Sequence, residues 1–283
     1  MYSVRFFFIA HSHPYLYRMK TEHHPIDQMG QPLFLKNVPS RIISLVPSQS
    51  ELLHHLALDD QVIGITKFCI YPPHWRKEKN IIGGTKNFNF ERIDQLNPDL
   101  IIGNKEENYP EGIARLKKRY PVWMSDVSDF EDALGMIRSI GELTNRQGVS
   151  GKLIQDIKNG FKALGKPEKP QRVLYFIWKD PWMVAGANTF IDTMLAKIGL
   201  QNCASLYSRY PEIEEEAIAE LNPDIIFLSS EPFPFTDKHI HRLALQFPAT
   251  KIFLVNGTFF SWYGSRLKEA PKYFKKLMKQ VIQ

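Results

Sequence analysis

The chain has 283 residues, 43% of them hydrophobic and 23% charged, with a formal net charge of +6. That apolar content supplies a packed core and excludes low-complexity disorder, and the length suits two lobes of roughly 100–150 residues each. No apolar run approaches the roughly 20 residues that a bilayer crossing needs, which excludes a membrane-spanning helix.

At the N-terminus, Phe6-Phe7-Phe8-Ile9-Ala10 follows Arg5 in the manner of an export signal. His11, Ser12 and His13 end that run short of the roughly 7–15 apolar residues such a signal uses. No nearby cysteine could carry a lipid anchor, so no export signal is expected, and Met19 is an alternative start. Residues 1–38 are expected to form an irregular arm.

Arg41–Val46 reads as the first strand. In the following Pro47-Ser48-Gln49-Ser50-Glu51, Ser48 or Ser50 is expected to cap a helix carrying Leu52, Leu53, Leu56 and Leu58. Val62–Ile65 and Val122–Met124 add strands. Between them lies half of an internal repeat. Residues 91–102 (Glu-Arg-Ile-Asp-Gln-Leu-Asn-Pro-Asp-Leu-Ile-Ile) return as residues 216–227 (Glu-Ala-Ile-Ala-Glu-Leu-Asn-Pro-Asp-Ile-Ile-Phe). Two copies at so long a period imply duplicated domains and not a solenoid. Each copy reads as a short helix stopped at Asn-Pro, then a strand apolar on both faces, as a covered parallel sheet requires.

Phe130, Leu134, Ile137, Ile140 and Leu143 recur at helical spacing, and Leu153, Ile154, Ile157, Phe161 and Leu164 continue it. Gly148 and Gly151 are expected to bend or interrupt this stretch. A helical linker of about 30 residues would run some 45 Å along both lobes. The second lobe then repeats the plan with strands at Arg172–Ile177, Asp224–Ser229 and Lys251–Val255 and a helix at Phe190–Ile198. These elements predict an α/β protein with two Rossmann-like lobes, parallel sheets, a long linker helix and a ligand cleft between the lobes. The expected boundaries are 39–127 and 169–283 for the lobes and 128–168 for the linker.

At the C-terminus Lys268, Lys272, Lys275, Lys276 and Lys279 alternate with Leu267, Tyr273, Phe274, Leu277 and Met278. This spacing makes a solvated helix face, so no nucleic-acid partner is expected. Cys69 and Cys203 are too few for a disulfide framework and read as reduced, buried thiols.

No glycine-rich phosphate loop, Gly-x-Ser-x-Gly elbow or His-Glu-x-x-His occurs, so no catalytic residue is assigned and no enzyme is expected. Histidines pair at 11/13, 23/24, 54/55 and 239/241, but no three of them need converge, and no metal site is expected. Aromatic residues cluster in the loops: Phe68, Tyr71 and Trp75; Phe88 and Phe90; Trp178 and Trp182; Tyr207 and Tyr210; Phe259, Phe260, Trp262 and Tyr263. Beyond the carboxyl ends of parallel strands such groups either line a ligand cleft or pack on their own lobe.

An ordered series carries a family resemblance. It runs from Arg41-Ile-Ile-Ser-Leu-Val-Pro-Ser-Gln-Ser-Glu51 through Val62-Ile-Gly-Ile and Tyr71-Pro-Pro73 to Asn89-Phe-Glu-Arg-Ile93 and Leu96-Asn-Pro-Asp-Leu-Ile-Ile102. Over roughly residues 40–280 it resembles the helical-backbone substrate-binding proteins of ABC importers for cobalamin, ferric siderophores or haem, the cobalamin branch most of all. The resemblance implies a monomeric carrier in the periplasm or cell envelope. Its partners would be a membrane permease dimer with its ATPase and a metal-chelate ligand, with cobalamin first and haem or a ferric siderophore as alternatives.

By position it implies docking glutamates at Glu91 and Glu216, one per lobe, and a cleft lined by Phe68, Thr85, Asn104, Trp182, Met183, Tyr210, Phe259, Trp262, Tyr263 and Arg266. Phe68 stands where the cobalamin binders carry tyrosine, and Tyr210 and Thr85 stand where they carry tryptophan. An anionic siderophore would call on Lys86, Lys105 or Arg266. The rival reading, motivated by the missing export signal, is a cytoplasmic corrinoid or tetrapyrrole enzyme or chaperone.

Overall fold

A computed structural model describes residues 25–282. The expectations for Phe6–Ala10, Met19 and the histidines at 11, 13, 23 and 24 lie outside the described residues.

The first lobe comprises β1 (Ile42–Ser44), α1 (Pro47–His55), β2 (Val62–Ile65), α2 (Trp75–Glu78), β3 (Asn80–Ile81), the hairpin β4 (Gly83–Gly84) and β5 (Asn87–Phe88), α3 (Phe90–Leu96), β6 (Leu100–Asn104), α4 (Pro110–Lys117) and β7 (Val122–Ser125). Its five-stranded sheet has the order β3-β2-β1-β6-β7, parallel throughout. Two helices follow, α5 (Phe130–Leu143) and α6 (Gln147–Lys162). The second lobe comprises β8 (Arg172–Trp178), β9 (Met183–Val184), α7 (Phe190–Lys197), β10 (Gln201–Asn202), α8 (Glu215–Leu221), β11 (Ile225–Ser229), α9 (Asp237–Gln246), β12 (Lys251–Val255), α10 (Thr258–Ser261) and α11 (Ala270–Ile282). Its sheet runs β10-β8-β11-β12 in parallel, with β9 antiparallel on β8.

Alternation along the strands divides the core into three layers. Ile42, Leu100, Ile102 and Trp123 of the first sheet and Val173, Tyr175, Ile225 and Phe227 of the second belong to one continuous cluster that includes Leu134, Ile137, Ile157 and Phe274. Their sequence neighbours point the other way, Ile43, Ile101 and Met124 into one outer layer and Leu174, Phe176, Ile226 and Leu228 into another. Each such side chain, fully buried, contributes about 1.5–3 kcal/mol. The shared inner layer, reaching both sheets through α5, α6, α7 and α11, limits how freely the lobes can move.

The repeat is a structural device. Helices α3 and α8 both end on a left-handed asparagine, Asn97 at φ 44° and Asn222 at φ 42°, where the following proline forbids another turn. Arg41 donates to the carbonyl of Leu96 at 2.5 Å, and Arg172 donates to that of Leu221 at 2.6 Å. Asp99 accepts from the backbone N–H of Arg41, and Asp224 from that of Arg172, each at 2.8 Å. One arginine and one aspartate per lobe thus tie the helix end to the start of the first strand.

Two local expectations are corrected. Neither Ser48 nor Ser50 caps α1, because Pro47 opens the helix behind Val46 and both serines lie within it. The Ser50 hydroxyl instead meets that of Ser44 at 2.9 Å and Cys69 Sγ at 3.0 Å. The helical stretch between the lobes breaks at Thr144-Asn145-Arg146, where Asn145 takes φ 56°, while Gly148 and Gly151 lie inside α6. The 16 residues of α6 span about 24 Å, shorter than the continuous run expected. Gly141 makes this break tight, since a β-carbon there would lie 2.1 Å from Ser150 Oγ.

Candidate functional site

In parallel sheets the strand ends converge at their carboxyl edge, and in both lobes the loops following those edges carry polar and aromatic side chains. The two loop sets meet. Arg209 pairs with Glu106 across the lobes, and Tyr210 donates its hydroxyl to Glu106 at 3.5 Å. Arg266 donates to Glu51 of α1 at 2.5 and 3.1 Å.

The loop after β6 is held from below. Asn104 is 1% exposed; its amide donates to Ser125 Oγ at 2.9 Å and its Oδ1 accepts from the backbone N–H groups of Glu106 and Glu107 at 2.8 and 3.1 Å. Asn108 donates to the carbonyls of Leu45 and Thr85. These bonds present Glu106 and Glu107 towards the second lobe. Glu107 keeps an exposed side chain at the mouth of this seam, but the protein packed around it raises its carboxyl above the usual range, and the charge of Glu231 pushes the same way. Glu231 follows β11 and accepts from Ser261 Oγ and Trp262 Nε1, both at 2.8 Å. Its carboxyl is also raised, by burial, against the opposing pull of these donors and of Arg266. Burial likewise raises the hydroxyls of Tyr210 and Tyr263, with the Glu107 charge adding to both.

The expected site residues separate into two groups. Phe68 is 51% exposed, beside the β4–β5 hairpin that carries Thr85, with a β-carbon at Gly84 only 3.2 Å from its ring. Met183, Tyr210 and Phe259 pack on the inner layer, and Tyr263 lies within it. Trp262 is edge-on to Tyr71 at 6.1 Å. These residues stand around the seam between the loop sets.

Three others do not offer free groups there. Asn104 is spent on its own loop. Trp182 faces the outer layer of the second lobe, because Met183 beside it takes the inner side of the strand; its ring stacks with Phe235 and its Nε1 donates to Glu215 at 3.2 Å. Arg266 is neutralised by Glu51 and enclosed by aromatic rings, 4.4 Å from the Tyr71 centroid and 5.2 Å from that of Trp262. The other basic candidates are also engaged, Lys86 with the Glu106 carbonyl and Lys105 with Asp126 at 2.7 Å.

Glu106, Glu107 and Glu231 escaped the reading of the sequence. The signal was present, since the offset relating the two repeat blocks carries Glu106 onto Glu231. Glu91 and Glu216 lie exposed in the first turns of α3 and α8, with no ion-pair or side-chain hydrogen-bond partner among the described residues.

Three comparisons bear on this arrangement. An ABC transporter substrate-binding lipoprotein of Bacillus subtilis, YvrC, is 28% identical over 223 residues, covering 74% of this chain and 70% of its own. The vitamin B12-binding protein of Vibrio parahaemolyticus is 24% identical over 203 residues, covering 70% of this chain and 74% of its own. A crystal structure described as a possible iron-binding, periplasmic solute-binding protein of Staphylococcus epidermidis superposes with a TM-score of 0.74 at 24% identity, covering 87% of this chain and all of that one. The periplasmic binding protein family model matches residues 42–246, from β1 through the linker helices to α9, and the chain belongs to that family.

Proposed function

We propose that this protein is the substrate-binding component of an ABC importer, and that it captures a cobalamin-like corrinoid in the cleft between residues 39–127 and 169–283. It then delivers the ligand to a membrane permease dimer driven by its ATPase, acting as a monomer in the cell envelope and without catalysing a reaction. The linker at 128–168 stands outside the cleft in this reading.

The observation that carries the choice of ligand is the charge of the cleft. The charge of Glu231 disfavours ionisation of Glu107 and that of Lys86 opposes it, while Lys105, Arg209 and Arg266 are each paired with a carboxylate of the protein. Such a site leaves few unpaired cations for an anionic siderophore or the propionates of haem and suits a large neutral ring with amide donors at its edge. Phe68, which is exposed, and the half-buried Tyr210 supply apolar faces for that ring. The family relationship supports the carrier role, and the relative that binds vitamin B12 supports the corrinoid class.

The test is a calorimetric and visible-spectrum titration of the purified protein with cyanocobalamin, haem and a ferric siderophore. The expected result is one-to-one binding of cyanocobalamin alone. Binding of haem or the siderophore in its place overturns the ligand assignment, and turnover of any of them overturns the carrier role.

Glu91 and Glu216 are the docking anions of this proposal, placed on equivalent helices as a two-fold permease requires. Reversing both, Glu91→Arg with Glu216→Arg, is expected to abolish permease association in a vesicle pull-down while leaving ligand affinity unchanged. Retained association would remove these two residues from the interface.

A further inference from the structure

Three short segments of the first lobe, at the end of α1, in the loop after it and just before α2, bring a group of polar side chains together. His54 lies in the last turn of α1, Asp59 in the loop that follows, and His74 immediately before α2. His54 Nδ1 is 2.7 Å from Asp59 Oδ1, and His74 Nε2 is 3.8 Å from the same oxygen. One ligand atom from each lies within 4.8 Å of the others. The two imidazoles meet edge to face, 5.6 Å apart at 73°, so they do not stack and their nitrogens can share a focus.

The cluster has an inner support. Trp75, fully buried, donates its indole N–H to Asp59 Oδ1 at 3.0 Å, and Lys79 donates to the Asp59 backbone carbonyl. A carboxylate oriented by a buried donor is the outer-shell arrangement that positions metal ligands. Glu78 Oε2 stands 4.0 Å from His74 Nε2, one helical turn along, within reach as a fourth donor. The three principal side chains are 40–47% exposed, leaving an entry path and room for water.

We propose that His54, Asp59 and His74, with Glu78 or water completing the shell, bind a divalent transition-metal ion of the zinc, nickel or copper class. Two imidazoles and a carboxylate match the preference of those ions and disfavour magnesium and calcium, which take oxygen donors. Tetrahedral zinc with bonds of roughly 2.0–2.1 Å needs donors about 3.3 Å apart. Side-chain shifts of about 0.5–1.5 Å in these exposed groups bring the set to that spacing. The ion would clamp the end of α1 to α2. It would also fix both ends of the segment carrying Phe68 and Tyr71, whose rings stand 51% and 38% exposed.

The experiment uses the full chain, freed of any histidine tag, in equilibrium dialysis against zinc chloride and, separately, magnesium chloride. Melting temperature is followed in parallel. The wild type is expected to bind one zinc ion at micromolar concentration and to melt higher when loaded, since a ligand that favours the folded state raises stability. His74→Gln and Asp59→Asn should each weaken zinc roughly tenfold or more, with unchanged circular dichroism, whereas His55→Gln should leave it unaltered. The proposal is overturned by absence of stoichiometric zinc binding, by equal binding of magnesium, or by zinc affinity that survives His74→Gln. None of these outcomes depends on which ligand the cleft takes.

Discussion

Glu107 shows how position assigns chemistry to a side chain that composition cannot single out. Reduced hydration and the nearby Glu231 both disfavour its charged form, so the folded protein holds that proton more tightly than the unfolded chain does. A carboxyl raised in this way binds more protons folded than unfolded. Its stabilising contribution is therefore present near the unfolded value of 4.5 and is lost as pH rises through the higher folded value. Glu107→Gln is accordingly expected to flatten the fall in the urea midpoint between pH 5 and pH 7. It should be more stable than the wild type at pH 7 and nearly equal to it near pH 4.5. An unchanged slope would mean that the carboxyl is fully hydrated. The two cysteines behave as their low number suggested. Both are free and buried, and burial pushes the Cys203 thiol up to about 11, far from a reactive thiolate.

The duplicated helix-to-strand junction shows how a short motif earns its repetition. Leu-Asn-Pro-Asp supplies a left-handed stop, a residue that cannot continue the helix and a carboxylate for the next strand's N–H groups. An arginine from the adjoining strand binds the exposed helix carbonyls. Arg172→Ala is expected to cost about 1 kcal/mol, read from the shift in urea midpoint, because its hydrogen bonds to carbonyls lie partly in solvent. The α5–α6 junction is stricter. Gly141→Ala would drive a β-carbon into Ser150 and should cost roughly 1–3 kcal/mol, part of which Ser150→Gly restores in the double variant. A neutral single substitution would mean that the two helices are not closely apposed at Gly141.

Across the molecule, three kinds of contact govern how the lobes meet: the shared inner layer, the Arg209–Glu106 pair at the cleft and the Arg266–Glu51 pair beside the aromatic cluster. The last is mostly enclosed, with side-chain exposures of 14% and 19%. Removing the arginine leaves a carboxylate that burial already disfavours. Arg266→Leu is therefore expected to cost about 2–3 kcal/mol in chemical denaturation, and adding Glu51→Gln should recover part of that loss. Additive costs in the double variant would show that the two groups do not act as a pair.

Periodicity along the chain was enough to establish the α/β class, the duplication and most of the principal strands, because a strand covered on both faces must be continuously apolar and a helix against a sheet must be apolar every three or four residues. Val62–Ile65 and Lys251–Val255 have in the fold the bounds that their apolar pattern predicts. Two-residue strands such as β9 and β10 carry no period and were invisible. The linker's break was placed at the glycines, whereas the fold puts it at Asn145, where packing of Gly141 against Ser150 decides the geometry. The site was legible only in part. Aromatic clusters left lining of a cleft and packing on their own lobe both open, because the direction each ring takes depends on which face of a short strand it occupies, as Trp182 and Met183 show. Whether Arg266 is a free cation, whether Asn104 is spent on its own loop, and whether His54, Asp59 and His74 meet are questions of distance between side chains on different elements. Hydrogen bonds and ion pairs act over a few ångströms, so only the tertiary structure could answer them.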